Sequence, residues 1–236
     1  MLRADKALCG TECKELVAGD FFRSLSSVTF QDLAAMQHPS SYLPGIILFS
    51  ENDPPAGVFI VQGGEVKLSM NSSDGKRLIL RIAKKGEMLG LASVLSGGLR
   101  EMTAETLYPS KIAFIGRGDF LKFLDRHPET YRSVAEEVSR NYTMVCEQLR
   151  AVGLSHSAPA RLARLLLDWS VTGQTTDHET RFRFSLTHEE IGEFIGASRE
   201  TVSRTLSEFR SRHLIAYHGS TLSIPDKSAL ESYSRC

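Results

Sequence analysis

Between residues 131 and 152, apolar side chains recur in alternating steps of four and three: Tyr131, Ala135, Val138, Tyr142, Val145, Leu149 and Val152. This is a heptad seam, the pattern of a helix that meets a second helix. Upstream, from about Ser26 to Ile115, the texture is that of strands. Short apolar runs at 45–49, 57–61, 64–70, 77–82 and 111–115 are punctuated by Asp53-Pro-Pro, Gly63-Gly, Ser73-Asp-Gly and Lys85-Gly. Regularly spaced short strands with such turns predict a β-sandwich or barrel, and periodicity alone does not choose the topology. The seam helix could pack on its own domain. A long helix leaving a β-domain has few other places to bury such a stripe, however, so a two-helix dimer interface is expected, with Val138, Tyr142, Val145, Leu149 and Val152 at its centre.

The pattern divides the chain into an N-terminal segment (1–25), a β-domain (26–116), a helical connector with the seam helix (117–153) and a mostly helical C-terminal domain (158–236). Gly153, Ser155, Ser157 and Pro159 read as a hinge before the last of these, and 173–179 as a polar loop.

The most specific local signal lies between Leu186 and Phe209. Thr187 and Glu190 have capping-box spacing, in which hydroxyl and carboxylate each satisfy a free backbone N–H. Ile191, Phe194 and Ile195 form the apolar stripe of a short helix. Gly196 falls where a tight turn needs an unhindered backbone, and Ser198 reads as the N-cap of a second helix. On that helix Val202, Leu206 and Phe209 share one face, while Arg199, Glu200, Ser203 and Arg204 share another near its N-terminus. One face anchored and one polar N-terminal face is what a major-groove recognition helix requires. Thr187, His188, Ser198, Arg199, Glu200, Thr201, Ser203 and Arg204 are the expected DNA contacts. Residues 214–224 read as a hairpin turned at Gly219 and Ser220, the wing of a winged helix-turn-helix.

Charge modifies this picture little. The formal net charge is +0, so a nucleic-acid site must be a local patch. Residues 196–218 carry a net +2, from four arginines and two glutamates. At 42% hydrophobic residues the chain has the composition of an ordinary globular protein. No apolar run approaches the length of a membrane helix, and the N-terminus lacks the apolar core of a secretory signal; a cytoplasmic protein without membrane contact is expected. No nucleophile–base pair or phosphate-binding glycine loop points to an enzyme.

With these residues in order, the chain resembles the cyclic-AMP receptor / fumarate-nitrate-reduction regulator (CRP/FNR) family over nearly its whole length. The strongest shared motif runs from Ile191 to Arg204; Gly63-Gly-Glu-Val-Lys and Gly86-Glu-Met-Leu-Gly are similar to signatures of the family's β-domain. The resemblance implies an α+β architecture: an N-terminal double-stranded β-roll, a long dimerisation helix and a C-terminal winged helix-turn-helix. It also implies a homodimeric transcription regulator that binds double-stranded DNA at an inverted repeat with GA-core half-sites and meets RNA polymerase.

The effector is not legible. Cyclic-nucleotide-binding members carry a Glu after the glycine matching Gly90, for the ribose, and an Arg before a Ser/Thr-Ala pair, for the phosphate. Here Leu91 and Met102 occupy those positions, followed by Thr103 and Ala104. Cyclic AMP is therefore not expected to bind, and Gly90, Leu91, Arg100, Met102 and Thr103 are candidates for whatever the cassette holds. Arg100, two residues early, could substitute for the missing arginine only from a shifted loop. The alternative reading is a redox or gas sensor of the same fold, using an iron–sulfur cluster, haem or reactive thiols. Cys9 and Cys13 resemble part of an N-terminal cluster motif, but Arg23 stands near where a further cysteine would fall, and a cluster normally takes four thiolates. Cys146 lies on the seam helix and Cys236 ends the chain. The seven histidines show no metal-ligand spacing, and no metal site is expected.

Overall fold

The computed structural model describes residues 19–154, 157–171, 173–176, 179–184, 186–219 and 221–234. Cys9, Cys13, Ser155, Ser220 and Cys236 lie outside these residues. Two compact units are present. Among the described residues, the first holds 19–70 together with 80–145, and the second holds 71–79 and those from 146 onward.

In the first unit, helices α1 (Asp20–Ser24) and α2 (Ser27–Ala35) precede the strands. Here the expected β texture from Ser26 is corrected. The Ser26 hydroxyl accepts from Thr29 N–H at 3.1 Å and caps a helix whose Thr29, Phe30 and Leu33 are buried at helical spacing. The strands are β1 (His38–Tyr42), β2 (Ile47–Phe49), β3 (Gly57–Gly63), β4 (Val66–Asn71), β5 (Arg77–Ala83), β6 (Met88–Leu89), β7 (Thr103–Thr106) and β8 (Ser110–Gly116), with α3 (Leu91–Ser96) between β6 and β7. They form two four-stranded sheets of order β1-β8-β3-β6 and β2-β7-β4-β5.

The central strands explain the continuous apolar runs in the sequence. On β3, Val58 and Ile60 face one way, and Phe59 and Val61 the other. The first pair joins Phe22, Leu33, Phe120 and Phe123 in a core under the helices. The second pair joins Phe49, Val66, Leu68 and Ala104 in an inner core to which both sheets contribute. β8 divides in the same way, with Ala113 and Ile115 against Ile112 and Phe114. A strand buried on both faces loses the polar alternation that would mark its sidedness.

Helix α4 (Arg117–Arg126) and a single 3-10 turn (Pro128–Thr130) lead to α5 (Tyr131–Leu154), the predicted long helix. Val134 is buried and Val138 packs against the outer core, so the start of α5 is seated on the β-domain.

The second unit contains α6 (Ala158–Ser170), β9 (Gln174–Thr175), β10 (Thr180–Arg183), α7 (His188–Ile195), α8 (Arg199–Ser211), β11 (Ala216–His218), β12 (Thr221–Ile224) and α9 (Lys227–Ser234). Its strands form one antiparallel sheet, β11-β12-β10-β9. The stretch read as a wholly polar loop contributes β9, which pairs with β10 through Thr175 and Gln174. Leu162, Leu166, Phe182, Ile191, Val202, Phe209 and Leu222 are buried in this unit. The sequence sets a boundary at the hinge-like 153–159. The last turns of α5 instead belong with the second unit, because Gln148 bonds to residues of that unit.

Candidate functional site

The two helices α7 and α8 are built by short-range chemistry. Thr187 Oγ1 accepts from Glu190 N–H at 3.1 Å, and the Glu190 carboxylate accepts from Thr187 N–H at 3.0 Å, completing the capping box. Gly196 ends α7 at φ 61°, a left-handed conformation that a side chain disfavours. Gly192 is held to glycine by proximity: a Cβ there would lie 2.6 Å from Ala197 O. Ser198 then caps α8, accepting from Thr201 N–H at 3.2 Å.

Side chains from two other helices take the carbonyls left open at the end of α7. Gln148 Nε2 donates to Phe194 O at 2.6 Å and to Ile79 O at 3.0 Å. Arg161 Nε donates to Ile195 O at 2.5 Å, and its Nη2 to Gly196 O at 3.3 Å. Sequence reasoning missed both residues, because nothing local in the sequence shows which distant side chain caps a helix end.

Helix α8 is anchored by Val202, Thr205, Leu206 and Phe209, all buried. Arg199, Glu200 and Arg204 are exposed, and Ser203 is half-buried. Glu200 is held below the ordinary carboxylate range, first by its own backbone N–H, then by the Ser198 hydroxyl, with Arg199 adding attraction. It is an acceptor near neutral pH, as a contact to a cytosine amino group needs. His188 and Ser203, expected as separate DNA contacts, touch each other: Nδ1 and Oγ are 2.7 Å apart. This ties the start of α7 to α8. Thr201 is half-buried, with its hydroxyl 3.1 Å from that of Ser198. The hairpin of β11 and β12 follows, pairing Ala216 with Ser223 and His218 with Thr221; Gly219 turns at φ 65°.

In the β-roll the cassette residues are occupied by the chain itself. Gly90 sits at φ 73° as the N-cap of α3, and Leu91 is buried in the outer core. Met102 packs against the inner core. There the rings of Phe49, Phe59 and Phe114 lie in sequence, with centroids 5.5 and 5.0 Å apart. Thr103 Oγ1 accepts from Glu51 N–H at 3.0 Å. Arg100, at the end of a glycine-rich turn, is 2% exposed.

Along α5 the seam divides. Val138, Val145 and Val152 are half-buried by their own chain, whereas Tyr131, Ala135, Tyr142 and Leu149 are exposed. Tyr142 and Leu149, seven residues apart and 71% and 53% exposed, fall on one helix face. Cys146 is a half-buried free thiol on the same helix. Among the described residues no group of three or more His, Cys, Asp or Glu is placed to hold a metal ion, and no helix is long and apolar enough to cross a membrane.

Comparison with known proteins agrees with this geometry. Residues 39–127 match the cyclic nucleotide-binding domain family, and residues 160–233 match the Crp-like helix-turn-helix domain family. The CRP-like cAMP-activated global transcriptional regulator of Mycobacterium tuberculosis is 25% identical over 221 residues, covering 93% of this chain and 98% of that protein. The cAMP-activated global transcriptional regulator CRP of Pasteurella multocida is 28% identical over 160 residues, covering 67% of this chain and 76% of the relative. Among solved structures, the c-di-GMP responsive global regulator CLP of Xanthomonas campestris superposes with a TM-score of 0.74 at 20% identity, over 85% of this chain and 100% of that one. FixK2 of Bradyrhizobium japonicum does so with 0.73 at 21% identity, over 84% and 96%. At such identities the structural likeness speaks for the fold. A cyclic nucleotide-binding domain, a long helix and a Crp-like helix-turn-helix thus occur in that order, and the chain belongs to the CRP/FNR family of transcription regulators.

Proposed function

We propose that this regulator acts as a cytoplasmic homodimer, paired through α5, that reads an inverted repeat with GA-core half-sites and acts on RNA polymerase from there. The observation that carries DNA reading is the division of α8. Val202, Leu206 and Phe209 hold it in the domain, while Arg199, Glu200 and Arg204 stand exposed near a capped N-terminus. Arginine can pair bidentately with guanine and glutamate can accept from cytosine N4. Thr187, Ser198 and Thr201 lie at the two helix starts, where hydroxyls and backbone N–H groups suit phosphates. A two-fold dimer places its recognition helices about 34 Å apart, one turn of the duplex. Selection from random duplexes tests this. The full-length protein is expected to enrich an inverted repeat with that spacing; enrichment of no repeat would refute the reading.

The β-roll, in this reading, senses a signal other than cyclic AMP, although the Mycobacterium and Pasteurella relatives are cAMP-activated. Leu91 offers no acceptor for a ribose hydroxyl and lies in the outer core; Met102 offers no charge for a phosphate and packs against the inner one. The nearby Arg100 guanidinium is already engaged by Gly90 O, Ser93 Oγ and Gly57 O. Titration calorimetry with cyclic AMP is expected to show no binding in the low micromolar range, and a saturating isotherm in that range would overturn the assignment.

A further inference from the structure

Serines and threonines inside a helix commonly give their hydroxyl proton to the carbonyl four residues back. On α8, Thr205 donates in this way to Thr201 O and Ser207 to Ser203 O, both at 2.9 Å. Ser203 differs. Its Oγ lies 2.7 Å from Nδ1 of His188, on the other helix of the motif. It sits on the polar face of α8, one turn after Arg199 and one residue before Arg204. His188 is exposed and Ser203 half-buried.

Both sides of this contact are held in place. The capping box fixes the start of α7, where His188 is the first residue. Ile191 and Ile195 of α7 and Val202 and Leu206 of α8 are buried. The turn between the helices is tight, since a Cβ at Gly192 would lie 2.6 Å from Ala197 O. The imidazole therefore meets the hydroxyl at a set place. A neutral imidazole has one N–H and one acceptor nitrogen, and the hydrogen bond made by one nitrogen fixes where the ring proton sits. Phosphates only accept, so on a DNA-facing surface the ring is favoured with its proton on the outer nitrogen, Nε2. Nδ1 is then the acceptor, and Ser203 donates to it.

We propose that His188 is a positioning residue for base selection: it takes the Ser203 hydroxyl proton on Nδ1 and so leaves Ser203 Oγ a pure acceptor toward the major groove. In that groove the amino groups of adenine N6 and cytosine N4 donate, whereas thymine O4 and guanine O6 and N7 accept. A free serine hydroxyl meets either class by turning. One whose proton is committed to His188 meets only the amino groups. Ser203 therefore selects adenine or cytosine on the strand it faces and rejects thymine and guanine. His188 acts through Ser203 and does not itself touch that base. The inference deepens the proposed DNA reading and rests on it.

The test extends the duplex selection to full-length variants at about pH 8, above the range in which histidine ordinarily changes charge. The base position read by Ser203 is the one whose preference disappears in Ser203→Ala. There the wild type is expected to favour adenine or cytosine by roughly three- to tenfold per half-site, the worth of one neutral hydrogen bond. His188→Ala should flatten that position and leave the guanine preference of Arg204 in place. His188→Asp puts a carboxylate oxygen, which only accepts, where Nδ1 was. It should restore the adenine or cytosine preference while its charge weakens every sequence alike. A merely structural histidine would instead lower affinity uniformly in both variants. Nitrogen-15 resonances of the wild-type His188 ring should show Nε2 protonated and Nδ1 bare, with Nδ1 shifting in Ser203→Ala. A thymine or guanine preference at that position, a His188→Ala variant that keeps the wild-type preference, or a ring proton on Nδ1 would each overturn the proposal. Should His188→Ala fail to fold, the wild-type ring spectrum and the base preferred at the Ser203 position decide. Enrichment of no repeat rejects the DNA reading and this inference with it, whereas a repeat with no position sensitive to Ser203 rejects this inference alone.

Discussion

A Tyr142→Asp, Leu149→Asp double variant is expected to sediment as a monomer at micromolar concentration and to lose tight operator binding. Both residues are exposed in the single chain, so the substitutions leave the packing of Val138 and Val145 on their own chain intact. The monomer should therefore keep its fold, with unchanged helical content. In a two-fold dimer each substitution occurs twice, placing four carboxylates in one seam. An unpaired buried charge costs about 3–5 kcal/mol, and each ~1.4 kcal/mol is tenfold in an equilibrium constant. One pair of carboxylates is thus enough to raise the dimer dissociation constant by several orders of magnitude. A double variant that remains dimeric would mean the seam is covered by something other than its symmetry mate.

The parts of the molecule legible in the sequence are those set by neighbours along the chain. The capping box of Thr187 and Glu190, the left-handed Gly196 and the Ser198 cap involve residues at most a few positions apart, and each is present with the expected geometry. Strand β3 was legible because an unbroken apolar run has few homes other than a strand or helix buried on all sides. Strand β1 was not. His38, Pro39, Ser40 and Ser41 are exposed and polar, and β8 alone recruits them, at the edge of the sheet. Two-residue β6 and four-residue β7 are too short to show a period.

Arg100 shows the same limit at the candidate effector site. In Gly97-Gly-Leu-Arg-Glu it reads as a solvated turn residue. Its burial depends on Gly57 from β3, Gly90 from the start of α3 and Phe49 from β2, all distant in sequence. The pairing of His188 with Ser203 is likewise tertiary, and it changes what each can offer to DNA. A serine hydroxyl engaged with an imidazole is already oriented before any base arrives.

Arg204→Ala should weaken operator binding by roughly 1–3 kcal/mol per half-site and flatten the preference at the core guanine. Arg204 is exposed on α8, one residue past Ser203 and on the turn after Arg199 and Glu200. Its backbone is fixed by the buried Val202 and Leu206 on either side of it. Removing the side chain should therefore change a contact and not the helix. A dimer carries the loss twice, so the specific affinity should fall by about one to four orders of magnitude, on the order of 2–6 kcal/mol. Salt dependence separates base reading from charge. An arginine that only neutralises phosphate, when removed, weakens every sequence alike and lowers the slope of log affinity against log salt by about one per contact. For Arg204→Ala, affinity for nonspecific duplex and the salt slope should stay near wild type while the ratio of specific to nonspecific binding collapses. Selection from random duplexes with the variant should return half-sites in which the guanine position has lost its preference. A variant that enriches the same guanine as wild type, or whose losses are equal on all sequences, would place Arg204 on the phosphate backbone.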